Sequence, residues 1–199
     1  MVAREAPCLA GTYHGSAPEI AVQLDLGEDG RFAYRLVYGA LDETAQGQWT
    51  YRDGAVRLTS GPVSAPELAL EGRSASDDRL LRVALELPNG FSRQYFDAVL
   101  HFADGRKVWH QFEEEGLAIT VADYLDAESL RVVLPLFGIE SAPVPSPRAE
   151  VIRFRFTPND LGKVPFDDFA LPLDDRSLRL ARHHRDVELR LDQGGCQAH

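Results

Sequence analysis

Three side chains able to bind a divalent metal, Asp97, His101 and His110, fall within the stretch FSRQYFDAVLHFADGRKVWHQF, residues 91–112. Asp104-Gly105 lies between two extended runs, and an Asp-Gly pair suits a two-residue type I′ turn because glycine tolerates positive φ. The spacing predicts a hairpin in which Ala103 faces Arg106, His101 faces Val108 and Val99 faces His110. Phe96, Ala98, Leu100, Phe102 and Trp109 then share a buried face, while Asp97, Val99, His101, Val108, His110 and Phe112 share the other. On that register His110 is diagonal to both Asp97 and His101. Neutral imidazole and carboxylate are ligands for zinc, iron or manganese, and a bound water would supply the nucleophile of a metal-dependent enzyme. The plainer reading is the wet side of an antiparallel sheet, and a slip of one residue would scatter the three groups.

Other candidates carry less. His183-His184 with Asp186 contains metal ligands, but neighbours on a strand point to opposite faces, and Arg182 and Arg185 give the segment the character of a basic surface turn. Tyr34, Tyr38 and Trp49 are the aromatic residues expected to line a ligand cup, the alternative being that they are core. Asp42, Glu43 and Glu19 could pair as acids for glycoside cleavage, a reaction that depends on a carboxyl separation no sequence displays. The chain has no GxSxG elbow, no P-loop and no GxGxxG opening a helix.

The elements that would position these groups are strands. In 199 residues, 44% apolar and 26% charged, there is material for one large or two smaller globular domains. A net charge of −10 excludes a nucleic-acid partner of the usual basic kind. No apolar run approaches the ~20 residues that span a bilayer, and MVAREAPCLAG lacks the apolar region of a signal peptide. The expectation is a soluble chain, cytoplasmic, or periplasmic where a leader has been removed. Cys8 and Cys196 allow either a disulfide between the ends or two thiols.

Ile20, Val22, Leu24 and Leu26 alternate with polar residues, Gly27 to Gly30 turn the chain, and Phe32, Tyr34, Leu36 and Tyr38 continue the alternation. Gln46 to Tyr51 and Val56 to Leu58 follow, joined at Asp53-Gly54. The runs GTYHGSAPEIAVQLDLGEDGRFAYRLVYG and GQWTYRDGAVRLTS resemble the lipocalin-like N-terminal meander of the copper-stress lipoprotein (NlpE-type) family. That resemblance implies a curved, barrel-like sheet with a pocket. It implies no thiol copper site, because Ala17-Pro18-Glu19 stand where the family carries a cysteine pair.

The small and polar residues of Gly72 to Asp78 predict a domain junction, giving a lipocalin-like domain over 1–74 and a second domain over 75–199. In the second, Leu81 to Leu87, the 91–112 hairpin, Leu117 to Val121, Leu130 to Leu136, and Ile152, Phe154 and Phe156 read as strands. A helical turn falls near Asp123 to Ser129, Pro143, Pro145 and Pro147 make a stiff connector, and Val187, Leu189 and Leu191 close the domain. LLRVALELPNGF, YFDAVLHFADGRKVW, GLAIT and LRVVLPLFG resemble a transthyretin-like or carboxypeptidase-regulatory-like sandwich. The sequence thus predicts an all-β chain with little helix, a small antiparallel meander or barrel followed by a β-sandwich. The function expected of it is non-catalytic binding of a small molecule or protein partner, the alternative being the metal-dependent enzyme. An exposed sheet edge would also allow a dimer.

Overall fold

The computed structural model describes residues 8–194. Strand accounts for 61% and helix for 5%, so every side chain of interest is held by a sheet or by a loop between strands. Five strands come first: β1 (Gly11–Ala17), β2 (Ile20–Leu26), β3 (Arg31–Tyr38), β4 (Leu41–Arg52) and β5 (Ala55–Ser60). Nine follow: β6 (Glu67–Ala75), β7 (Leu81–Glu86), β8 (Asp97–Phe102), β9 (Lys107–Gln111), β10 (Leu117–Ile119), β11 (Ala127–Leu134), β12 (Ile139–Glu140), β13 (Val144–Pro145) and β14 (Glu150–Thr157). The chain ends with β15 (Phe169–Asp174), β16 (Ser177–Arg182) and β17 (Arg185–Gly194). One short helix, α1 (Val121–Tyr124), lies between β10 and β11, and among the described residues no helix is long and apolar enough to cross a membrane.

The first five and last three strands form one closed, eight-stranded antiparallel barrel in the order β1-β17-β16-β15-β5-β4-β3-β2. The alternation read from the sequence sets its inside. Phe32, Tyr34 and Leu36 of β3 and Ile20, Val22, Leu24 and Leu26 of β2 are all buried in the same core as Leu178, Leu180, Val187 and Leu189. The turn at Asp53-Gly54 has positive φ at both residues, as a type I′ hairpin requires. Gly47, in the GQW run, is fixed by proximity: a Cβ there would stand 2.1 Å from the Thr59 carbonyl oxygen of β5.

The nine middle strands form two sheets, β10-β7-β14-β6 and β12-β11-β8-β9, with β13 paired to β11. They enclose a second core containing Leu81, Val83 and Leu85 from one sheet side and Ala98, Leu100 and Leu130 from the other, with Ile152, Phe154 and Phe156 of β14. This is the expected sandwich architecture.

The domain boundaries differ from those expected. One compact unit consists of the chain up to Val63 together with the chain from Gly162, and the other is Ser64–Leu161, so the sandwich is inserted between two barrel strands. The 74/75 boundary falls inside β6, whose Leu68 pairs with Phe156 and whose Arg73 pairs with Ile152. Of the small residues that imitate a linker, Gly72, Ser74 and Ala75 belong to an edge strand satisfied by its neighbour, and Ser76 follows it. Val187 and Leu189, expected to close the sandwich, close the barrel instead, where β17 pairs with β1. Pro145, expected in a connector, lies in β13 opposite Ser129. Cys196 lies outside the described residues.

Candidate functional site

The inward phase of two barrel strands is apolar until it reaches one end. On β4, Glu43 precedes Ala45 on the inner face and is only 6% exposed. On β16, Leu178 and Leu180 lead to Arg182. The next two residues, His183 and His184, both have positive φ and make the two-residue turn into β17. That turn brings the His183 ring back over the strand ends.

These residues meet. Arg182 donates to Glu43 through Nε at 2.9 Å and Nη2 at 3.1 Å, a two-pronged pairing that fixes both carboxylate oxygens. His183 Nε2 stands 2.9 Å from Glu43 Oε1, and the Tyr38 ring lies 5.6 Å from the His183 ring. Among the described residues Arg182 Nη1 enters no hydrogen bond. Removing two charges from water carries a desolvation cost that only good geometry offsets, so such a pair inside a small barrel is not explained by stability alone.

Beside it lies Tyr34, 4% exposed, whose hydroxyl is buried and has no hydrogen-bond partner among the described residues. Burial pushes the Tyr34 phenol well above its ordinary pKa, the Glu43 charge pushes it further, and the Arg182 charge opposes both. The hydroxyl is therefore a neutral donor at any physiological pH. Phe166 covers this end. Its ring meets Tyr34 edge to face at 5.1 Å, stacks on Phe169 at 4.9 Å, and has the Arg182 guanidinium carbon 6.0 Å from its centroid. The segment carrying Phe166 is tied to the barrel by Thr44, whose N–H donates to the Gly162 carbonyl and whose own carbonyl accepts from Val164. Ser60 holds its far end, donating N–H to the Phe166 carbonyl at 2.9 Å and accepting from the Phe166 N–H at 2.8 Å through Oγ.

Of the aromatic residues expected at a ligand, Tyr34 and Tyr38 come together here. Trp49 does not: its indole N–H donates to the Gly27 carbonyl at 2.9 Å, by the β2–β3 turn, at the other end of β3. Glu43, Arg182 and His183 had no functional weight as a group in the sequence. The signal that could have exposed Glu43 is a charge placed in the inward phase of an otherwise apolar alternation.

The metal triad is not assembled. The β8–β9 register pairs Ala98 with His110, Val99 with Trp109 and His101 with Lys107, one residue away from the expected register. The loop holds three residues, Ala103 to Gly105: the Phe102 N–H reaches the Arg106 carbonyl, the Gly105 N–H bonds the Phe102 carbonyl, and Gly105 takes φ +82°. The extra residue sends His110 to the core side, opposite Ala98, and leaves Asp97 and His101 on the outer face. It also turns Trp109 outward, where it is 55% exposed rather than buried. His110 Nε2 is buried without a partner among the described residues, and burial pushes the Asp97 carboxyl above its ordinary range. Asp186, of the second expected metal group, pairs with Ala181 on the outer side of the barrel wall. Among the described residues no group of three His, Cys, Asp or Glu side chains is arranged to hold a metal ion. No family model, curated protein or solved structure matches the chain.

Proposed function

We propose that this chain is a non-catalytic binding protein whose barrel holds a small, acceptor-bearing molecule at the end formed by Tyr34, Tyr38, Glu43, Arg182 and His183. One observation carries the reading: a fully buried Tyr34 hydroxyl, a donor with nothing to donate to among the described residues, stands beside a partly desolvated ion pair. A buried polar group left unpaired costs about 1–3 kcal/mol, and a ligand that accepts from it would recover that energy. Eight-stranded barrels have an interior just wide enough to be filled by side chains or to hold one small ligand. A mostly apolar lining with a few convergent polar groups is the composition of a small-molecule site. Phe166, Phe169 and Phe32 supply the apolar wall, the Tyr34 hydroxyl and Arg182 Nη1 supply donors, and Glu43 holds Arg182 in place. The lipocalin-like reading of the barrel belongs with this function, and the inserted sandwich would serve as an interaction module.

The test is a thermal-shift screen of carboxylic acids and carbonyl compounds with apolar or aromatic bodies, run in parallel on the protein and its Tyr34→Phe variant. A ligand binding only the folded state raises the unfolding temperature with its concentration. The expected result is a hit whose shift disappears in Tyr34→Phe while that variant remains folded. Shifts identical in both proteins would reject the site.

A further inference from the structure

Strand β9 is the outermost strand of its sheet and pairs with β8 alone. The Phe112 N–H donates to the Phe96 carbonyl at 3.1 Å and the Phe102 N–H to the Arg106 carbonyl at 3.0 Å, which sets the phase of the ladder. In an antiparallel pair the hydrogen-bonded positions alternate, so Val108 and His110 point their backbone groups at β8, and Lys107, Trp109 and Gln111 point theirs at the open edge. All three are exposed. Their side chains share the outer face of the sheet, where the large apolar surface of Trp109 is 55% exposed in mid-strand.

Two charges unmatched among the described residues lie on the same face. Lys107 makes no ion pair or hydrogen bond with any described residue, and Asp97, which sits across from Gln111, has neither a cation nor a donor among them. Native edge strands are normally protected by charge, proline or a bulge, and β9 has only Lys107 for that purpose.

We propose that β9 pairs antiparallel with β9 of a second copy of this chain about a two-fold axis through Trp109. The sequence of the strand is self-complementary in that register. Trp109 lies opposite the partner's Trp109, and Lys107 lies opposite the partner's Gln111, so no like charges face each other. The outward N–H and carbonyl groups of the three positions then make about six backbone hydrogen bonds across the axis. The next strand beyond the partner's Gln111 carries the partner's Asp97, about 10 Å away at two strand spacings, within reach of an extended lysine. Each copy thereby matches its unpaired Lys107 to the other's unpaired Asp97. An aromatic pair on an exposed face adds its own cross-strand contact. Five residues a side make a small interface, so the association is transient.

Sedimentation velocity on the full chain from about 1 µM to about 1 mM, the range of weak complexes, tests it. The expected result is a reversible monomer–dimer equilibrium, with Trp109→Glu weakening it at least about tenfold. Lys107→Glu should weaken it similarly, and adding Asp97→Lys to Lys107→Glu should restore it, which a change in folding would not do. Hydrogen exchange on the unmodified protein gives a readout free of any variant: the amides of Lys107, Trp109 and Gln111 should slow as concentration rises. A chain that stays monomeric throughout, or a dimer whose β9 amides exchange at a constant rate, would overturn the proposal.

Discussion

Tyr13 and Tyr34 are both buried barrel tyrosines, and they differ at the hydroxyl. Tyr13 donates to the Leu9 carbonyl at 2.8 Å, whereas Tyr34 has no partner among the described residues. Tyr13→Phe should therefore lower stability by about 1 kcal/mol, the net worth of an ordinary hydrogen bond, while Tyr34→Phe should leave it unchanged or raise it. Urea titrations of the two variants beside the parent give the comparison, and equal losses would show that Tyr34 is satisfied after all. Glu43→Ala is the severe substitution at this site, because it strands Arg182 and unties His183. Breaking a buried pair typically costs 3–5 kcal/mol; with Arg182 about a quarter exposed, roughly 2–3 kcal/mol is expected in the same titration. The matched change that keeps shape and removes charge, Glu43→Gln, should cost less than Glu43→Ala.

Between the strands, two tight features carry predictions. Gly47→Ala would drive a methyl into the Thr59 carbonyl and the Ser60 backbone, neither of which can step aside without opening the β4–β5 ladder. A loss of at least about 2 kcal/mol, at the upper end of overpacking costs, is the expected thermal-unfolding result. In the sandwich, β6 and β14 are clasped by Arg73, which donates Nε and Nη2 to Glu150 at 2.8 Å and 2.5 Å. Burial pushes the Glu150 carboxyl up, but the Arg73 hydrogen bonds and charge, with help from the Arg148 N–H, outweigh it and leave the pKa below the ordinary value. A depressed folded-state pKa stabilises the protein above the unfolded-state value near 4.3, and that contribution is lost as pH falls through the folded-state value. Acid titration of the sandwich's unfolding should thus show a loss of stability below about pH 4.3 that is diminished in Glu150→Gln. Asp78, held at about 2 by Arg82 and the Ser76 hydroxyl, continues the loss to lower pH.

For the whole molecule, the two cores draw on separate parts of the chain. One uses residues between Leu68 and Leu161, and the other uses residues before and after that insertion. The insertion leaves and returns side by side: the Ser64 N–H donates to Asp160 Oδ2 at 2.9 Å, and the Asp160 N–H donates to the Ser64 carbonyl at 3.2 Å. Insertions with adjacent ends are the kind a host domain tolerates losing. Residues 64–161 expressed alone should unfold cooperatively, and so should a barrel in which a short Gly-Ser link replaces them. Circular dichroism melts of both pieces check this, and a piece without a cooperative transition would contradict it.

The sequence by itself determined the all-β class, the faces of β2, β3, β7 and β14, and the turns at Gly27 to Gly30 and Asp53-Gly54. All of these follow from side-chain alternation and from the φ preferences of a few residues, which act over short distances along the chain. It also placed Tyr34 and Tyr38 on the same inward-facing alternation. Only the tertiary structure decided the rest. The β8–β9 register turned on one loop residue, which alternation cannot count and which separates His110 from Asp97 and His101. Membership of the barrel depended on β17 finding β1 across the whole length of the insertion, although β17 reads locally like any sandwich strand. Glu43 and Arg182 are 139 positions apart, and nothing near either residue marks the other as its partner. Closure of the barrel joins them, because the strands that carry them inward end at the same rim.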